Sequence, residues 1–192
     1  MSVVLITGGL GFIGSHVCLE ILENGLDVLV VDSLINSSLS VIERIEKTLI
    51  KSNANNRGLF YFREGDIRDF EFLNNVFIEF KKFNSPIESV IHLAGLKSIS
   101  DSIEIPIKYW DFNVNGSINL LKVMKKNNCR NIVFSSSATI YKSRIEEKIK
   151  EEHELLPINP YGRTKLTVES ILNDLFRCEN DIWRIANLRY FN

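Results

Sequence analysis

Residues 3–16, VVLITGGLGFIGSH, set four glycines, Gly8, Gly9, Gly11 and Gly14, directly behind a β-branched apolar run. Glycine loses more conformational freedom on folding than any other residue, so such density calls for a compensating role. The apolar run favours a strand and the amphipathic stretch beyond it a helix, which places the glycines on a strand-to-helix turn. In a parallel sheet that turn lies at the carboxyl edge, where open α/β folds bind their ligands. Gly8 permits the tight turn, Gly11 lets backbone approach a pyrophosphate, and Gly14 lets the helix pack closely on the strand. The helix N-terminus then offers unpaired N–H groups to phosphate oxygens. Asp32 follows at the end of the second strand candidate and completes a dinucleotide-binding pattern. Its carboxylate can accept hydrogen bonds from ribose hydroxyls and would repel a 2′-phosphate. The nearest basic residue after it is Arg44, so the pattern favours NAD over NADP.

The rest of the chain continues the alternation. Strand candidates fall at 3–7, 27–32, 59–63, 89–92, 131–135 and 183–189, and helical periodicity at 13–24, 39–51, 69–83, 106–127 and 161–177. Near-continuous apolar strands separated by helices predict an α/β fold, a Rossmann-type doubly wound parallel sheet covered on both faces. A chain of 192 residues, 45% hydrophobic, suits one such domain. The net charge of -1 provides no general attraction to nucleic acid or acidic membranes, so an anionic ligand needs a local site. No apolar run approaches the ~18 residues of a membrane span, and the expected compartment is the cytoplasm. Cys18, Cys129 and Cys178, like His16, His92 and His153, are too scattered for metal-ligand spacing, so no metal is expected and the thiols read as reduced. The stretch 142–154 is dense in charge and reads as a solvated loop.

A second constellation is Tyr161 and Lys165 in INPYGRTKLTVES. Asn159 and Pro160 end a loop, so Tyr161 begins a helix, and a spacing of four puts both side chains on one face. A free phenol, with a pKa near ~10, is a poor base at neutral pH. A neighbouring ammonium, together with a positive nicotinamide ring, would stabilise the phenolate and lower that value. The strand in NIVFSSSATIY ends in Ser135, Ser136 and Ser137 at the same edge, where a hydroxyl could share a substrate proton with the tyrosine.

With TGGLGFIGSH, GDIRD, VIHLAGLKS, NVNGSINLL, FSSSATIY, PYGRTK and LRYFN, the chain resembles the UDP-glucose 4-epimerases of the extended short-chain dehydrogenase/reductase family. The resemblance implies that Phe12 and Ile13 lie along the pyrophosphate turn, and that Asp32, Ser33, Leu34, Ile35, Asn36 and Ser37 surround the adenosine ribose. It assigns the adenine to Asp66 and Ile67. Leu93, Ala94, Gly95, Leu96 and Lys97 would line the inner half of the cofactor site, Asn113 belongs to the Asn–Val–x–Gly segment, and Tyr190 would lie near the nicotinamide. Ser137, Tyr161 and Lys165 match the catalytic trio, and Phe191 and Asn192 the first residues touching the sugar nucleotide. The implied activity interconverts UDP-glucose and UDP-galactose through a 4-keto sugar with NAD, in galactose metabolism; the implied partners are a UDP-sugar and a second copy of the chain.

Two departures stand out. Lys142 replaces a glycine of the pattern, and the family continues beyond Asn192 with most of a smaller substrate domain. The expectation is therefore an NAD-binding and catalytic domain over 1–192, truncated before the substrate domain and inactive toward UDP-sugars alone. Rival readings are a 4,6-dehydratase, which needs an acidic pair where Ala138 and Thr139 stand, and an inactive NAD-binding remnant or partner subunit. Asp32→Ala should weaken NAD binding by roughly 1 to 3 kcal/mol and narrow the preference over NADP. Calorimetric titration with both cofactors checks this, and equal affinity of the unaltered chain for the two would reverse the assignment.

Overall fold

Six parallel strands form one sheet in the order β3-β2-β1-β4-β5-β6. They are β1 (Val3–Thr7), β2 (Asp27–Asp32), β3 (Phe60–Glu64), β4 (Ile87–His92), β5 (Asn131–Ser137) and β6 (Arg184–Tyr190). The computed structural model describes residues 2–52, 56–142, 148–179 and 182–191. The order reverses at β1, so the ends of β1 and β4 diverge and open a crevice between them, the switch point of a doubly wound fold. The expected architecture is the observed one.

Helices cover both faces. On one, α1 (Phe12–Glu23) and α2 (Ser40–Lys51) enclose Ile6, Leu10, Cys18, Leu22, Val28, Val30, Ile45 and Leu49. On the other, α3 (Phe70–Lys82), α6 (Gly116–Lys126) and α7 (Pro160–Cys178) pack on a larger cluster built around Leu5, Leu29, Val90, Phe134 and Trp183. Every residue of β2 is buried, as a strand sandwiched between two helical layers must be. Asp69 caps α3 by accepting from Phe72 N, and Asn159 caps α7 by accepting from Gly162 N, with Pro160 at the first helical position. Burial pushes the thiol of Cys18 up to about 12 and that of Cys129 up to about 11, while Cys178 is exposed. Among the described residues no helix is long and apolar enough to cross a membrane. Of the charged stretch, 143–147 lie outside the described residues; Lys142 pairs with Glu154 at 3.0 Å beside an isolated bridge from Tyr141 to Leu155.

The predicted helix over 106–127 is interrupted. A short α4 (Ile99–Glu104) precedes it, α5 covers only Pro106–Tyr109, and Trp110–Asn115 form a π-helical turn before α6. A π turn displaces backbone hydrogen bonds, and here the carbonyl of Asn113 accepts from Ser117 Oγ. Ser117 has one proton and gives it to that carbonyl, so its oxygen accepts from His92 Nε2 at 2.8 Å. Thr7 Oγ1 in turn donates to His92 Nδ1 at 2.7 Å. This buried chain joins the ends of β1 and β4 to the start of α6 and places a proton on His92 Nε2; with the imidazole kept neutral by burial, Nδ1 is the acceptor.

Burial, with the nearby Lys165 charge, drives His92 down to about 3. Between that value and the ordinary one near ~6.5 the unfolded chain binds a proton that the folded chain refuses, so stability falls as pH falls. From pH 7 to pH 5 the loss from this residue is about 2 kcal/mol. His92→Gln, which cannot titrate, should lose correspondingly less over the same interval in urea denaturation. Identical pH dependence in the two proteins would show that His92 does not carry this effect.

Candidate cofactor and active site

A cleft of about 540 Å³ opens at the carboxyl edge of the sheet, lined from the end of β3 to the end of β6. The glycine turn sits at its middle. Gly8 has φ 70, a left-handed conformation that glycine adopts without strain, and a Cβ there would stand 2.7 Å from the Ala94 nitrogen. A Cβ on Gly14 would stand 2.4 Å from the Gly8 carbonyl oxygen, so only glycine lets α1 begin this close to β1. Gly11 precedes α1 and provides no side-chain cap, which leaves the first-turn N–H groups facing the cleft beside Phe12 and Ile13. Uncapped donors, a glycine floor and a carboxylate on the next strand fit the pyrophosphate and ribose of a dinucleotide.

Asp32, 7% exposed, accepts from Leu10 N at 3.0 Å on one oxygen and from Leu34 N at 3.0 Å and Ser37 Oγ at 2.7 Å on the other. Three donors leave about one of its four acceptor sites, and the Ser37 hydroxyl can rotate away to release another. Ser33, Ile35 and Asn36 line the cleft. Leu34 and Ser37 do not: Leu34, at φ 57, turns its side chain onto the cluster under α1 and α2, and Ser37 orients Asp32. Asp66 and Ile67 line the far end.

At the inner end the wall runs through Leu93, Ala94, Gly95, Leu96 and Lys97. Asn113 is behind that wall rather than on it. Its Oδ1 accepts from Leu96 N at 2.8 Å, and its Nδ2 donates to Leu96 O and Thr164 Oγ1, each at 3.0 Å. The side chain thus fixes the wall segment to α7.

Ser137, Tyr161, Lys165 and Tyr190 converge at this end. Ser137 is the last residue of β5, paired in register with Tyr190, so its hydroxyl sits on the strand and not in the following turn. Thr139 donates to Ser137 Oγ through its backbone N at 3.2 Å and its hydroxyl at 3.0 Å, which directs the serine's own proton toward Tyr161. Lys165 is 5% exposed; its Nζ donates to the Ser135 carbonyl at 2.8 Å and stands 5.9 Å from the Tyr161 ring centre. Burial lowers the Lys165 ammonium to about 8. The expected lowering of Tyr161 is absent from the chain itself: burial raises its pKa, and the Ser137 hydrogen bond only partly opposes that. Phe191 stands off the cleft, 59% exposed and tilted against Tyr141, and Asn192 lies outside the described residues. The cleft also takes in Val31, Gly65, Ile99, Phe112 and Thr139, which the dinucleotide pattern does not mark. Of these, Gly65 within GDIRD and Phe112 beside Asn113 adjoin motifs and could be found from them.

Residues 5–192 match the family model described as GDP-mannose 4,6 dehydratase. The chain belongs to this family. Within the dehydratase family its relatives include the UDP-glucose 4-epimerase of Bacillus subtilis, 42% identical over 98% of this chain and 52% of that protein. The bifunctional protein GAL10 of Pachysolen tannophilus is 44% identical over 100% of this chain and 27% of that protein. The solved UDP-glucose 4-epimerase of Bifidobacterium longum, in complex with NAD+ and UDP, is 42% identical with a TM-score of 0.89, over 100% of this chain and 53% of that one. The chain thus spans about half the length, or less, of the relatives it matches. Gly14→Ala should destabilise this family member by roughly 1 to 3 kcal/mol, because the added methyl meets backbone that cannot rotate away. A shift of the urea midpoint checks it, and an unchanged midpoint would show that α1 can retreat without cost.

Proposed function

We propose that the chain is the cofactor-binding and catalytic half of a UDP-glucose 4-epimerase, working on a UDP-hexose with NAD. The observation that carries the reading is the convergence of Ser137, Tyr161 and Lys165 at one end of a cleft whose middle is a glycine turn and whose second strand ends in Asp32. The catalytic residues, and the domain reading of 1–192, rest on this placement and on relatives of about twice the length.

Tyr161 takes the proton of the sugar 4-hydroxyl and later returns it to the same oxygen, once the hydrogen at C4 has been restored on the opposite face of the ring. Ser137, its oxygen occupied by the two Thr139 donors, can turn its one proton from Tyr161 to the sugar oxygen and so keep that oxygen within reach of Tyr161. The Lys165 ammonium, held by the Ser135 carbonyl, stabilises the phenolate as it forms. Gly8, Gly11, Gly14, Phe12 and Ile13 would hold the pyrophosphate, Asp32 the adenosine ribose, and Leu93–Lys97 and Tyr190 the nicotinamide half. When bound, NAD supplies the reversible acceptor for the hydrogen at C4.

The dehydratase name of the family raises elimination as a second reading. Elimination needs an acid and base just beyond Ser137, and those places hold Ala138 and Thr139, neither of which titrates. Epimerisation needs neither.

In a protein joining this chain to the C-terminal half of the Bacillus subtilis relative, UDP-galactose should be converted to UDP-glucose. Tyr161→Phe should lower turnover roughly 10²–10⁴-fold with the fold intact, and Lys165→Met should resemble it. Near-normal epimerisation by the phenylalanine variant would remove Tyr161 as the base. Loss of water from GDP-mannose in the same protein would favour elimination.

A further inference from the structure

Phe134 lies on β5, one turn of the pleat before Ser136, and is 1% exposed. Its partner in register on β4 is His92, and the two ring centres stand 5.6 Å apart with 34° between their planes. From α7 the side chain of Lys165 comes over the same phenyl ring, with Nζ 4.8 Å from its centre. The Tyr161 ring centre stands farther off, at 5.9 Å.

An ammonium carries three N–H groups. Among the described residues that of Lys165 makes one hydrogen bond, to the Ser135 carbonyl, and at 5% exposure it has little contact with water. A buried charge with so few partners is costly, which is the cause of the lowering of this ammonium to about 8. The face of an aromatic ring is negative and attracts a cation within about 6 Å of its centre, the more so where water is excluded. An aliphatic side chain would fill the same space and offer no such face. The other titratable groups around this end are His92 on β4, Lys97 on the wall beyond it, Tyr109 on α5, Tyr161 and Glu169 on α7, and Tyr190 on β6. Glu169 is committed to Arg189 at 2.8 Å, and burial keeps His92 neutral. Among the described residues no carboxylate pairs with Lys165, so the ring is its nearest source of negative potential after the Ser135 carbonyl.

We propose that Phe134 is a positioning residue: the face of its ring takes the place of water as the second partner of the Lys165 ammonium and keeps that charge beside Tyr161. Its consequence for turnover rests on the epimerase reading, whereas the contact belongs to the chain alone. Weakening the face without changing its shape releases the Lys165 proton at lower pH and withdraws the charge from Tyr161.

The test places monofluoro- and trifluorophenylalanine at position 134, since fluorine draws electron density from the ring face and changes its shape little. With isotope-labelled lysine in the chain alone, NMR follows the titration of Lys165, assigned by its loss in Lys165→Met, and circular dichroism confirms each fold. The midpoint should fall from that of the unaltered chain by a few tenths of a pH unit with one fluorine and by about one unit with three. Phe134→Leu should match the trifluorinated chain, and the monofluorinated ring, the smallest change, decides the matter should the others not fold. An unchanged midpoint in the folded fluorinated chains overturns the role of Phe134 and leaves the epimerase reading untouched. In the protein joined to the C-terminal half of the Bacillus subtilis relative, turnover should decline on the alkaline side at correspondingly lower pH. A midpoint that falls while this alkaline limb stays in place overturns instead the reading in which the Lys165 charge serves Tyr161.

Discussion

The approach of α1 to the end of β1 is the contact on which the cleft depends. A helix that begins within van der Waals distance of the preceding turn points its unpaired N–H groups into the crevice rather than into solvent, and only a residue without a side chain at position 14 allows it. Asp32 then ties this turn to β2 by accepting from Leu10 N, so the floor of the cleft and the carboxylate at the end of β2 are set by one hydrogen bond. The same carboxylate holds the loop after β2 through Leu34 N and Ser37 Oγ. Leu34 at φ 57 is uncommon for a bulky residue, and the hydrogen bond to Asp32 together with burial of its side chain sustains it.

A second scaffold, entirely buried, fixes the inner wall. Thr7, His92, Ser117 and Asn113 pass hydrogen bonds from β1 to the π turn, and Asn113 continues them to Leu96 and Thr164. In a low-dielectric interior such a network is strong when complete and costly when broken, so each member holds the others in one arrangement. The neutrality of His92 has a further use. A charged imidazole beside the buried Lys165 would repel its ammonium.

How far the sequence discloses this differs from element to element. The glycine spacing, Asp32 and the strand–helix alternation are local signals with a direct steric or periodic cause, and they lead to the sheet and the cleft. Asn113 shows the limit. Residues 106–127 keep a helical apolar period, and the π turn that swings Asn113 behind the wall answers to partners on β4 and α7 that are distant in the chain. Leu34 and Ser37 depart for a related reason: a run of neighbours reads as one lining, while the positive φ of Leu34 accompanies a side chain packed on the core and the Ser37 hydroxyl bonds Asp32. The six residues of α4 are too few for a period to register.

Burial acts on Tyr161 and Lys165 in opposite senses, raising the phenol and lowering the ammonium to about 8. Each shift opposes the charged form of its own residue, so in the chain alone the neutral tyrosine is held in place and the lysine gives up its proton more readily than in water. The two charged forms, unfavourable separately, stabilise each other when present together, and the low dielectric that penalises each alone strengthens that mutual attraction. Further positive charge entering the same cleft would favour the phenolate again. The burial that makes Tyr161 a poor base by itself is therefore what lets a nearby charge change its proton affinity sharply, and fuller exposure to water would weaken both effects.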